Sequence, residues 1–135
     1  MSQGLVTFPR AVRSAIVQHA RREAPRECCG FLIGSGRRVQ FALPLDNVDS
    51  RPQIRYRIDD RRHIEVRRWL RQLAPPLEIV GVYHSHPNVE ARPSSADLAE
   101  AHYPDWVFAI VSLKAARPDI GLFQIVRGRA RRLRV

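Results

Sequence analysis

Apolar residues recur at helical spacing in some stretches of the chain and run unbroken in others, and the two patterns mark out its elements. Residues 9–23 read as an amphipathic helix: Val12, Ile16, Val17 and Ala20 share a face, arginines occupy the other, and Pro9 suits the first turn. "APRE" breaks it. "CCGFLIG" (28–34) is a short apolar strand, "SG" (35–36) a tight turn, and "RRVQFALPL" (37–45) the returning arm of a hairpin. Residues 46–54, "DNVDSRPQI", are polar and rich in turn formers, and "RYRI" (55–58) reads as a brief strand. A second helix is expected over 59–73, capped by Asp59, with Ile64, Trp69, Leu70 and Leu73 supplying much of its apolar face. "LEIVGVYHSH" (77–86) has a continuous apolar centre, the mark of a strand buried on both faces. A short helix over 94–102 ends before Pro104; "WVFAIVSL" (106–113) is another buried strand; 120–128 and 130–135 close the chain as antiparallel strands.

Strands and helices mix without a regular βαβ alternation. The expected fold is therefore α/β in the broad sense (α+β mixed), a single domain over residues 1–135 with a mixed, largely antiparallel sheet flanked by helices. No repeat, low-complexity tract or linker divides it. A chain of 135 residues with 44% hydrophobic content can bury a core without disulfides or metal staples. No apolar run approaches the roughly 18 residues of a membrane span, and the Arg-rich start lacks the apolar h-region of a secretory signal.

Charge alters this picture little. The formal net charge is +10, and Lys114 is the single lysine. An almost all-arginine set fits a solvated basic surface, or docking of an acidic protein. Nucleic acid ranks below both, because no helix-turn-helix, zinc-finger or RNP-like aromatic motif accompanies the charge. Cys28 and Cys29 are adjacent, a spacing that disfavours a mutual disulfide, and no second cysteine pair completes a zinc knuckle. Cysteines without a disulfide framework suit a reducing cytoplasm.

Candidate chemistry gathers in "YHSHPNVEARPSSAD" (83–97). Strand side chains alternate faces, so His84 and His86 point the same way where the strand runs out, and Ser85 points to the opposite face with local hydrogen bonds. Ser94 is placed as the N-cap of the following helix, and Asp97 falls in its first turn, able to face back toward the histidines. Two imidazoles and one carboxylate make a ligand set that zinc accepts, with a fourth position left for water. Capping alone also accounts for Ser94 and Asp97. Glu90 and Arg92 read as solvated loop residues, and His19, His63 and His102 as surface or helix-end residues.

"HSHPNVEARPSSAD" (84–97) resembles the JAMM motif of the JAB1/MPN/Mov34 superfamily: His-x-His-Pro, six residues, Ser, two residues, Asp. "PRECCGFLIG" (25–34) resembles the upstream segment of that family, in which a glutamate leads an apolar strand; Glu27 holds its position, and only this resemblance selects it over Glu23 or Glu78. The order of elements is similar along nearly the whole chain. The resemblance implies a JAB1/MPN-like (cytidine-deaminase-like) fold and one Zn²⁺ held by His84, His86 and Asp97. It also implies Glu27 as general base and Ser94 as a donor to the oxyanion, beside its cap. The reaction would be hydrolysis of a peptide or isopeptide bond. The compact length resembles stand-alone prokaryotic members, which implies a ubiquitin-like or sulfur-carrier protein ending in Gly-Gly as substrate; the oligomeric state is left open. The alternatives are a non-catalytic MPN interaction scaffold and a nucleic-acid-associated basic protein.

Overall fold

The computed structural model describes residues 4–135, so the first three residues of the domain expected over 1–135 lie outside it. The two strands with unbroken apolar runs lie side by side at the centre. β3 (Glu78–His86) and β4 (Val107–Ser112) pair in parallel, Gly81 with Val107 through to His86 with Ser112. Every residue of this pair except Glu78 is buried. Parallel neighbours need a crossover connection, and residues 87–106 supply it, carrying the short helix α3 (Ser95–Ala99).

All other pairings are antiparallel. β1 (Cys29–Ser35) lies against β3 and β2 (Arg38–Leu45) outside it, while β5 (Asp119–Val126) and β6 (Arg129–Arg132) extend the far side, in the order β2-β1-β3-β4-β5-β6. The first hairpin turns as tightly as the sequence suggests, and the closing strands form a second tight hairpin, with β6 shorter than the expected 130–135. In the second, Arg127 and Gly128 take φ of 53° and 74°, the positive pair whose twist matches the flanking strands. Gly30 stands opposite Tyr83, and a Cβ there would collide with the tyrosine ring, so the glycine gives that ring its seat on β1.

One helix seals each face. α1 (Arg10–Glu23) sets Val12, Ile16 and Ala20 into a core with Leu32, Val80, Tyr83, Val107 and Ala109. α2 (Asp60–Arg71) sets Val66 and Leu70 into a second core with Phe31, Ile33, Val82, Phe108 and Ile110. Asp59 caps α2 as expected, its carboxylate accepting from Arg62 N at 3.3 Å. Among the described residues no helix is long and apolar enough to cross a membrane.

Several local expectations are corrected. On α2 the buried stripe runs through Val66 and Leu70, with the half-buried Leu73 just past its end, while Ile64 is 56% and Trp69 44% exposed. At 100° per residue Ile64 sits about 160° round the helix from Val66, so an apolar side chain there faces water. Residues 55–58 form no strand: they pair with no neighbour in the sheet, and Val48 N donates to Arg57 O at 2.9 Å. α3 stops at Ala99, which leaves His102 outside any helix and exposed. His19 is buried, because it lies three residues beyond Ile16 on the inner face of α1, and its Nδ1 is 2.8 Å from the Tyr83 hydroxyl.

Candidate functional site

β3 ends on the expected alternation. Tyr83 belongs to the α1 core and Val82 to the α2 core, so Ser85 continues the first face and His84 and His86 the second. Ser85 does more than bond locally: its Oγ accepts from Cys28 N at 2.7 Å, across to β1. The crossover then brings α3 back over the histidines. Ser94 and Asp97 form a full capping box, Ser94 Oγ accepting from Asp97 N (3.1 Å) and Asp97 Oδ2 from Ser94 N (2.9 Å). That geometry aims the same Asp97 Oδ2 at both rings. It lies 3.1 Å from His84 Nε2 and 3.3 Å from His86 Nε2, and the two nitrogens are 3.2 Å apart.

These three atoms form the one group of metal-ligand type among the described residues. Their chemistry calls for a cation. His86 Nδ1 is 2.8 Å from the carbonyl oxygen of Glu90, which can only accept, so in the neutral ring Nδ1 carries the hydrogen and Nε2 bears a lone pair. That lone pair faces a carboxylate oxygen and a second imidazole nitrogen. A cation among them replaces mutual repulsion by ligation, and bonds of about 2.0–2.1 Å would set such donors roughly 3.3 Å apart. The Glu90 carbonyl is the outer partner that fixes ring orientation; the Glu90 side chain reaches outward to Lys114 at 2.8 Å.

Without a cation, protons do the same work. Burial alone would raise the Asp97 carboxyl, but hydrogen bonds from His84 and His86 hold it well below the usual carboxylate range. Burial alone would lower His86, but the bond to Asp97 and the Glu90 carbonyl lift it above the ordinary imidazole value.

The register places Glu27 as well. Cys29 pairs with His84, and Ser85 N donates to Cys28 O at 3.1 Å, so one further step sets Glu27 opposite His86. Glu27 is buried, and its carboxyl is pushed up to about 7 by burial, with His86 pulling down and Asp97 and Asp49 pushing up. The other two glutamates lie elsewhere. Glu23 bonds Arg26 on the surface, and Glu78 accepts from Gly36 N at the opposite end of β3.

Two neighbours of the site escaped the reading of the sequence. Tyr56 stacks on His84, ring centroids 4.4 Å apart and planes 22° from parallel. Asn47 ties together the loop that carries Tyr56. The signal for both was present in the polar, turn-rich run from 46 to 58, where an asparagine and an aromatic interrupt charged residues. Beside Tyr56 opens a cavity of about 410 Å³, lined by Arg55, His63, Glu100 and Trp106 among others. Arg55 and Glu100 form an ion pair at its rim.

A family described as prokaryotic homologs of the JAB domain matches residues 9–126. The chain is similar to a protein of Haloferax volcanii called a desampylase, 31% identical over 118 residues that cover 83% of this chain and 84% of that one. It is 35% identical over 118 residues to the CysO-cysteine peptidase of Mycobacterium bovis, covering 85% of this chain and 79% of that one. Among solved structures, a Desulfitobacterium hafniense protein studied in solution superposes with a TM-score of 0.84 at 28% identity, over 97% of this chain and 92% of the other.

Proposed function

The chain belongs to the prokaryotic JAB family, and from that premise we propose that it is a zinc-dependent peptidase or isopeptidase. Its substrate would be an amide bond at the C-terminal Gly-Gly tail of a ubiquitin-like or sulfur-carrier protein. The observation that carries the reading is the convergence of His84 Nε2, His86 Nε2 and Asp97 Oδ2 within 3.1–3.3 Å of one another, with Glu27 next along the register. The names of the relatives support the reaction class and the kind of substrate.

His84, His86 and Asp97 would hold the ion. Zinc, when bound, supplies the Lewis acidity that makes water a nucleophile near neutral pH. The chain's own groups handle the protons. Glu27, with its carboxyl raised to about 7, is matched to taking the proton of the attacking water and returning it to the leaving amine. Ser94 Oγ spends a lone pair on Asp97 N, which leaves its hydroxyl hydrogen free to donate to the developing oxyanion. The glycines of the tail let the substrate backbone approach closely. A net charge of +10 favours the encounter with an acidic carrier. Two free, buried cysteines fit a cytoplasmic setting.

The test is release of a C-terminal residue or peptide from a Gly-Gly-ended ubiquitin-like carrier, followed by mass. Cleavage that is lost on chelation and restored by zinc is the expected result. Cleavage that persists in chelator would refute the proposal.

A further inference from the structure

Residues 46–58 add nothing to the sheet, yet a single side chain organises them. Asn47 Nδ2 donates to the carbonyls of Glu27 (2.9 Å) and Arg55 (2.9 Å), with a longer contact to Pro52 O (3.5 Å). Its Oδ1 accepts from Asp49 N (3.0 Å) and Arg57 N (3.1 Å). Both hydrogens and the carbonyl oxygen of the amide are thus engaged.

The partners, more than their number, suggest a role. Arg55 O and Arg57 N flank Tyr56, the ring stacked on His84. Glu27 lies two residues before the start of β1, and the sheet holds neither of its backbone polar groups. Its N–H goes to Pro52 O at 2.7 Å and its carbonyl to Asn47. The carboxyl proposed as base and the aromatic wall behind a proposed ligand therefore depend on the same amide. The tight turn itself does not, since Asp49 Oδ1 accepts from Arg51 N at 2.9 Å. Backbone bonds from Glu27 N to Pro52 O and from Arg55 N to Arg51 O link these segments pairwise, and Asn47 adds one amide that reaches residue 27, the turn and residues 55–57 at once.

We propose that Asn47 is a positioning residue that holds Glu27 and Tyr56 as one rigid unit around the metal-ligand cluster. The proposal rests on the reading of Glu27 as general base. An asparagine is needed because it offers two donors and an acceptor from one planar group; aspartate lacks the donors, and serine has a single hydrogen.

The experiment uses the full chain, loaded with zinc, as Asn47→Ala and Asn47→Asp, each with and without Glu27→Gln. Turnover is measured on a Gly-Gly-ended ubiquitin-like carrier bearing a C-terminal extension, and zinc affinity by competition with a chromophoric chelator. At saturating zinc, Asn47→Ala should lower kcat by roughly 10- to 100-fold with KM within about twofold, because the base is displaced while substrate contacts remain. Zinc affinity should fall by about tenfold, because the His84 ring loses its fixed wall. In the Glu27→Gln background the same substitution should cost less than about twofold in kcat, since two residues acting as one unit are not additive.

An equal factor in both backgrounds overturns the proposal, as does wild-type kcat with wild-type zinc affinity. Where the alanine variant does not fold by circular dichroism, Asn47→Asp, equal in shape and still an acceptor, carries the same comparison. If Glu27→Gln is itself fully active, the base assignment falls and the role of Asn47 with it. If Glu27→Gln is inactive while the Asn47 variants turn over normally, the positioning role alone falls.

Discussion

The two faces of the sheet treat buried polar groups in opposite ways at the end of β3. On the α1 face each such group meets its complement: Ser85 Oγ takes the Cys28 N–H, and His19 lies against the Tyr83 hydroxyl. On the α2 face, one residue along, two imidazole nitrogens and a carboxylate oxygen crowd together within 3.1–3.3 Å of one another, and the same oxygen also accepts from Ser94 N. Burial is common to both, so burial does not distinguish a functional cluster from a structural one. Complementarity does. A satisfied pair stabilises the fold by itself, whereas ligand-type atoms converging on one point need a proton or a metal ion among them.

That contrast can be broken most severely on the α2 face. His84→Ala, His86→Ala or Asp97→Ala should each reduce zinc from about one per chain to a small fraction, by elemental analysis, with hydrolysis at background. Full zinc retention in a His84→Ala/His86→Ala double variant would remove the metal assignment. Next in size are substitutions that spare the ligands. Glu27→Gln should keep its zinc and lose about 10² to 10⁴ in rate. Ser94→Ala should lose roughly 10² to 10³ in rate, and about 1 kcal/mol of stability through the lost cap.

The α1 face should respond in stability alone. Tyr83→Phe leaves His19 Nδ1 without its partner, which costs about 1–3 kcal/mol in denaturant unfolding and leaves turnover per folded molecule unchanged. A matching loss of turnover would mean that the faces are coupled through the sheet. The smallest effect is a silence. Burial pushes the Cys28 and Cys29 thiols up to about 11 and about 12. Below those values they stay protonated, so at pH 8 a thiol reagent should label neither in the folded protein and both after unfolding, where thiols titrate near 8.5.

What could be read from the sequence was whatever depended on residues close together along the chain. The two histidines share a face because strands alternate, and Asp97 turns back because a capping box spans three residues; neither depends on the rest of the fold. The hairpin, the buried central strands and the Asp59 cap were legible for the same reason. Apart from the early end of α3 at Ala99, the misreadings involve distant contacts. Ile64 scored as apolar, but its position on α2 relative to the sheet decided its exposure. His19 read as a surface group because its partner Tyr83 is 64 residues away. The segment 55–58 had the composition of a strand but pairs with no strand of the sheet, and the carbonyls of Glu27 and Arg55 gathered by Asn47 belong to segments that only the tertiary fold brings together.

β6 presents Arg129, Arg131 and Arg132 along the outer edge of the sheet, every residue of that strand exposed. The opposite edge is β2, which Thr7 bridges at Arg38 and which carries Pro44 toward its other end. An open edge offers unpaired N–H and C=O groups to any other extended chain, and two copies of β6 laid against each other would set guanidinium groups face to face. A proline in β2 withdraws one donor from the other border. Like charge along β6 disfavours edge-to-edge pairing, and replacing its arginines with threonine or valine should raise self-association, read by light scattering, while leaving the cluster at the end of β3 intact.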